Sequence, residues 1–199
     1  MNSVIESAPA MFTLPGQEES GDRHTIVALP NGALVAVIDG LGHGPEAAVA
    51  AKRAVDIIEQ HAKDASLIDL VKRCHAALSN TRGAVMNLAV FDASESTLTW
   101  VGIGDVHGRL LLKTSEPGYA QQSLLLRPGV VGQKLPPLQV SITRVQPGDM
   151  VIFATDGIDS EFAERISIDS PADEIAEHIV GQYCKKTDDA LALVVRYLG

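Results

Sequence analysis

Three apolar runs in this chain each carry an aspartate at one end. "VAVIDG" brings in Asp39, "VIFATDG" brings in Asp156, and "DDALALVV" opens with Asp188 and Asp189. Taken singly, an aspartate at a strand end reads as a turn or cap residue. Its repetition is a constraint of another kind, because an ionised carboxylate beside buried apolar chain is costly unless a positive partner meets it. If these strand ends converge, the acids repel one another and demand either protons or a cation. Hard oxygen donors of this type suit Mg²⁺ or Mn²⁺ and not a thiolate-seeking metal.

The chain has 199 residues, of which 46% are apolar, enough for one sizeable core, so a single domain over residues 1–199 is expected. A net charge of −9, with the basic residues dispersed, argues against nucleic acid or an anionic membrane surface as partner. Cys74 and Cys184 lie outside any CxxC spacing, which excludes a disulfide framework and a thiolate zinc site. The N-terminus lacks a basic stretch followed by an apolar one, and no later run reaches the ~18 apolar residues of a membrane span. A cytoplasmic location is the expectation.

Turn chemistry and periodicity predict the order of elements. "HTIVAL" and "ALVAVI" read as a hairpin around Asn31 and Gly32, which delivers Asp39 at its far end. Residues 1–22 read as mixed and polar. Pro45 and Glu46 start a helix, with Val49, Ala51, Val55, Ile58 and Ala62 on its core face. A second helix fits "SLIDLVKRCHAALSN", capped by Ser66 and burying Leu67, Leu70, Val71, Cys74 and Leu78. Short strands follow: "AVMNLAVFD", "TLTWVGIGD", "GRLLLK", "QSLLLR", "VSITRV" and "DMVIFATDG", with turns such as "SEPG" between them. "SPADEIAEHIVGQYC" returns to helix, with Ser170 or Ser167 as cap, and "ALALVVRY" closes on a strand. Segregated runs of strands and helices predict an α+β fold of two packed antiparallel sheets covered by helices.

Competing chemistries lack their signatures. "GLGHGPE" has neither the Lys nor the Ser/Thr of a phosphate-binding loop, and GxGxxG and GxSxG are absent. Gly40 would let backbone and water approach an ion that a side chain would exclude.

The ordered set "SGD" (20–22), "DGLGHG" (39–44), "TRGA" (81–84), "VGIGD" (101–105), "ATDG" (154–157) and "DDALALVV" (188–195) resembles the metal-dependent serine/threonine protein phosphatases, and within them the bacterial RsbX/SpoIIE-like branch. The resemblance runs from about residue 20 to the end of the chain. It implies a four-layer αββα sandwich with two Mn²⁺ or Mg²⁺ ions between the sheets. Asp39 would bridge both ions, the Gly40 carbonyl would bind one, and Asp156 and Asp189 would hold the other. Asp22 matches an acid that orients water in that family's site. Asp105 matches part of a third metal site whose usual partner falls here on Ser160, with Asp159 one position earlier. His43 lies two positions beyond the place where many relatives carry a histidine proposed as general acid; Leu41 stands there instead. Asp188 reads as a strand cap or as support behind the ligand. Arg82 could steady a phosphate through charge-assisted hydrogen bonds.

The function these residues imply is hydrolysis of phosphoserine or phosphothreonine on a protein, with phosphorylated STAS-domain proteins of a stressosome as the expected substrates. The alternatives are an inactive phosphatase-fold binding module and a small-molecule phosphoester hydrolase.

Overall fold

The computed structural model describes residues 3–114, 118–166 and 168–199. Along the chain run β1 (Ile5–Phe12), β2 (Asp22–Leu29), β3 (Gly32–Gly40), α1 (Pro45–His61), α2 (Leu67–Ala77), β4 (Ala84–Asp92), β5 (Thr97–Ile103) and β6 (His107–Lys113). β7 (Tyr119–Ser123), β8 (Leu126–Arg127), β9 (Ser141–Arg144), β10 (Met150–Ala154), a short 3₁₀ helix (Ser160–Arg165), α3 (Ala172–Tyr183) and β11 (Ala190–Tyr197) complete it. One sheet has the order β1-β11-β10-β6-β7; the other runs β2-β3-β4-β5-β8, with β9 also on β5. The pairing is antiparallel except at the two-residue β8, which runs parallel to β5.

The sheets pack face to face, and helices close the two outer faces. Val35, Val37, Phe91 and Trp100 of one sheet meet Val151, Phe153, Leu193 and Tyr197 of the other in a common core. Phe91 and Tyr197 stack with ring centroids 5.9 Å apart. α1 and α2 bury Ala50, Ala54, Ile58, Leu70, Val71 and Cys74 against β3, β4 and β5. α3 and the 3₁₀ helix cover β10 and β11 through Phe162, Ile175 and Ile179. This is the expected αββα sandwich. It also explains why β3 and β11 read as unbroken apolar runs: each is central in its sheet and covered on both faces.

Local chemistry sets the element ends. Ser66 accepts the N–H of Asp69 at 3.2 Å and caps α2, and Pro45 opens α1 behind Gly44, whose φ of 78° favours glycine.

Four sequence expectations need correction. β1 is a strand within the segment that reads as mixed and polar. Its Pro9 fits an edge strand, which pairs only with β11. Val49 is 51% exposed, because α1 turns a stripe of small residues, Ala47, Ala50, Ala51 and Ala54, to the sheet. "QSLLLR" is two strands: β7 lies in one sheet and β8 in the other, with the chain crossing between them. Pro171, not Ser170, occupies the N-cap position of α3, while Ser167 and most of the "SEPG" turn lie outside the described residues.

Candidate active site

Both sheets end their central strands at one edge of the sandwich, and the acids gather there. Asp22 opens β2 directly opposite Asp39 near the end of β3. Asp156 follows β10, Asp188 and Asp189 precede β11, and Asp105 follows β5. Asp39, Asp105, Asp156 and Asp188 line a half-open cleft of about 420 Å³, with Pro128, Gly129 and Val130 on its wall.

Two close backbone approaches make this convergence possible. A Cβ on Gly40 would lie 2.1 Å from the carbonyl oxygen of Ala47, so the end of β3 can meet the first turn of α1 only as glycine. A Cβ on Gly157 would lie 1.9 Å from the carbonyl oxygen of Asp189, which makes this glycine the point where the two acid-bearing strand ends of one sheet touch. The glycine of "DG" thus has a packing role at both places.

Thr155 ties the sheets together beneath the cleft. Its hydroxyl donates to Asp22 Oδ2 at 2.7 Å and accepts the N–H of Leu191 at 2.8 Å. Asp22 is buried, and burial pushes its carboxyl upward; the Thr155 bond opposes this, and Asp189, Asp156 and Asp188 add to it. Burial, followed by repulsion from Asp22, Asp156, Asp105 and Asp188, also raises Asp39 well above the usual carboxylate range. Burial and the charges of Asp105 and Asp188 raise Asp156, against the pull of Lys185 and His107. Lys185 Nζ also donates to the Asp156 carbonyl oxygen at 2.7 Å.

Asp188 and Asp189 exchange the places expected of them. Asp188 lines the cleft. Asp189 is buried, and its two carboxylate oxygens accept the N–H of Leu14 at 2.8 Å and of Gly21 at 2.7 Å. It pins the segment between β1 and β2, while its own N–H bonds to Asp188 Oδ1. Sequence order gives no cue to this exchange, because either acid can open β11.

The remaining candidates divide. Gly40 is buried beside Asp39 and does not line the cleft, its N–H bonded to the carbonyl of Gly21. His43 is exposed and does not line the cleft. Asp159 caps the 3₁₀ helix by accepting the N–H of Glu161, and Ser160 is the exposed first residue of that helix. Arg82 is ion-paired to Glu46 at 2.5 Å, at the mouth of the cleft. Thr155, Lys185 and His107 were missed as site residues; the one signal in the sequence was the hydroxyl residue next to Asp156 in "ATDG".

The donor set fits hard divalent cations. Asp39 makes no side-chain hydrogen bond or ion pair among the described residues, and the other ionisable side chains lining the cleft are carboxylates, Asp105, Asp156 and Asp188. Among the described residues no three His, Cys, Asp or Glu side chains close on one point. Such an open set of oxygens suits Mg²⁺ or Mn²⁺, ions that keep several waters of their own.

Comparison with known proteins places this geometry in a family. The family model described as Stage II sporulation protein E (SpoIIE) matches residues 30–198. The phosphoserine phosphatase RsbX of Bacillus subtilis (strain 168) is 22% identical over 189 residues, spanning 94% of this chain and 92% of that protein. A structure of RsbX in complex with magnesium superposes with a TM-score of 0.85 at 21% identity, over 99% of this chain and 97% of that one. A chain from a structural study of the bacterial stressosome gives a TM-score of 0.84 at 27% identity, over 96% and 99% of the two chains. The catalytic domain of the serine/threonine phosphatase PstP in complex with two manganese ions gives 0.70 at 18% identity, over 98% and 99%.

Proposed function

This chain belongs to the SpoIIE family, with the fold of the metal-dependent protein phosphatases, and on that premise we propose that it is a Mn²⁺- or Mg²⁺-dependent phosphatase of phosphoserine and phosphothreonine on proteins. The observation that carries the reading is Asp39, partly buried, without a basic partner, and faced by Asp22, Asp105, Asp156 and Asp188. A scaffold that only binds has no use for that repulsion.

In this reading Asp39, the Gly40 carbonyl, Asp156 and Asp188 would hold two divalent ions. Asp188 takes the place expected of Asp189, whose oxygens are occupied by backbone N–H groups. Bound there, the ions supply Lewis-acid polarisation of the phosphoryl oxygens and a nucleophilic water at neutral pH. Asp22 is held by Thr155 through Oδ2, which leaves Oδ1 to orient a water and accept its proton. Asp105 borders the cleft, but Asp159 is engaged as a cap and Ser160 offers no carboxylate, so two ions suffice.

The half-open cleft suits a phosphorylated side chain presented by a protein better than a small phosphoester that must be enclosed. Similarity over nearly the whole chain to RsbX and to a chain of the stressosome study supports phosphorylated STAS-domain stressosome proteins as the substrates. The test is phosphate release from a serine-phosphorylated STAS domain, from an unrelated phosphoserine protein and from small phosphoesters, each with Mn²⁺ and with chelator. A preference in kcat/KM for the STAS domain supports the assignment. Release from small phosphoesters alone would replace it.

A further inference from the structure

A second depression lies beside the cleft, on the far side of Gly42. It has a volume of about 420 Å³ and is lined by Pro45, Glu46, Val49, Asn80, Thr81 and Arg82. Arg82 is the link: a Cβ on Gly42, which lines the acidic cleft, would lie 2.8 Å from Arg82 Nη1. The guanidinium therefore rests against the cleft mouth across a single glycine, while its other side faces the depression.

We propose that this groove holds the stretch of protein substrate flanking the phosphoserine, with Arg82 as the residue that receives the phosphate at the junction. The inference rests on the phosphatase reading given above. Three observations carry it. The first is proximity, because Arg82, which lines the groove, lies directly against Gly42, which lines the cleft. The second is charge: phosphoserine brings roughly −1.5 to −2 charges towards a cleft walled by four aspartates, and Arg82 offers a planar fork of N–H donors suited to phosphate. Its present partner, Glu46, is exposed, as Arg82 is, so this ion pair is cheap to exchange for a phosphate.

The third observation is the surface itself. Val49 is 51% exposed on a helix whose other apolar side chains face the sheet, and with Pro45 it gives the groove an apolar floor. The Asn80 side chain is exposed and makes no hydrogen bond among the described residues, so its amide is free for the backbone of an extended peptide. Thr81 is already committed, donating to the Leu78 carbonyl and accepting the Gly83 N–H, and keeps the Asn80 to Arg82 turn in shape.

The experiment compares wild type, Val49→Asp, Arg82→Ala and Arg82→Lys, each checked by thermal melting. Two readouts are taken with Mn²⁺ present: kcat and KM for a phosphoserine peptide and for p-nitrophenyl phosphate, and fluorescence anisotropy with a labelled peptide carrying a phosphonate analogue of phosphoserine. Val49→Asp is expected to weaken phosphonate-peptide binding and raise the peptide KM by at least about fivefold, with the ratio of peptide to aryl-phosphate kcat/KM falling by the same factor. Arg82→Ala is expected to lower kcat/KM for both substrates, and Arg82→Lys to recover part of it. A ratio within about twofold of wild type in Val49→Asp overturns the groove while leaving the phosphatase reading in place. Wild-type protein that binds the phosphonate peptide in a Val49-dependent way but releases no phosphate overturns the catalytic reading and leaves the groove standing.

Discussion

Thr155 and Asp22 are 133 residues apart in the chain, yet a 2.7 Å hydrogen bond from the Thr155 hydroxyl to Asp22 Oδ2 joins the two sheets under the cleft. The same hydroxyl accepts the N–H of Leu191, so one oxygen fixes a candidate catalytic acid and the start of β11 together. Orientation of Asp22 is thus a property of the sandwich and not of the loop before it.

Replacing Thr155 with valine keeps the volume and removes the hydroxyl. Leu191 N–H then loses its acceptor and Asp22 its donor, a loss of about 1–3 kcal/mol that corresponds to a fall in melting temperature of roughly 2–4 °C per kcal/mol for a chain of this size. Activity is expected to drop by about tenfold, and Thr155→Ser to restore most of both. Melting curves and initial rates check this.

The acid cluster gives the metal-free protein a defined pH response. The folded-state pKa values of Asp22 and Asp39 are raised, by burial first and then by the neighbouring acids. Their contribution to stability is therefore complete below the ordinary carboxylate range, about pH 4, and is lost as pH rises through the raised values. With chelator present, the melting temperature should fall between about pH 4 and about pH 9 as these carboxyls, raised to about 7 and about 9, are forced to ionise, and Mn²⁺ should reverse the fall. Asp39→Asn should flatten the slope and raise the metal-free melting temperature at neutral pH by about 3 °C or more. An unchanged slope would remove Asp39 from this account.

Neighbouring aspartates should behave oppositely. Asp188→Asn is expected to keep the fold and weaken Mn²⁺ binding by at least about tenfold, measured by calorimetry. Asp189→Ala leaves two backbone N–H groups, of Leu14 and Gly21, without their acceptors and should cost about 2–4 kcal/mol of stability. The reverse pattern would return the ligand role to Asp189.

Gly157→Ala tests the contact between the acid-bearing strand ends. The added carbon would overlap the Asp189 carbonyl oxygen at 1.9 Å, so Asp156 and Asp188 have to move apart. We expect a loss of about 3 kcal/mol or more together with most of the activity, read by melting and by phosphate release.

Much of this architecture was legible in the sequence because burial on both faces writes itself as unbroken apolar runs. β3, β10 and β11 carry that signal, and their ends announced Asp39, Asp156 and the Asp188–Asp189 pair. The family resemblance added the sandwich and the two-metal reading. What stayed hidden depends on contacts distant in the chain. β1 is an edge strand with a proline and weak alternation, recognisable only through its pairing with β11. The exposure of Val49 follows from alanines that bring α1 close to its sheet, a choice of face that helical spacing alone left open. Which of two adjacent aspartates enters the cleft is decided by Leu14 and Gly21, some 170 residues away.

The central claim is that Asp39 organises a divalent-metal site that releases phosphate from phosphoserine on a protein. Its most direct test is phosphate release from a serine-phosphorylated STAS domain by wild type and Asp39→Asn, with Mn²⁺ and with chelator. The account predicts release by wild type with Mn²⁺, none with chelator, and a loss of at least about a hundredfold in a folded Asp39→Asn protein. Release that persists in chelator, or that survives in Asp39→Asn, would contradict it.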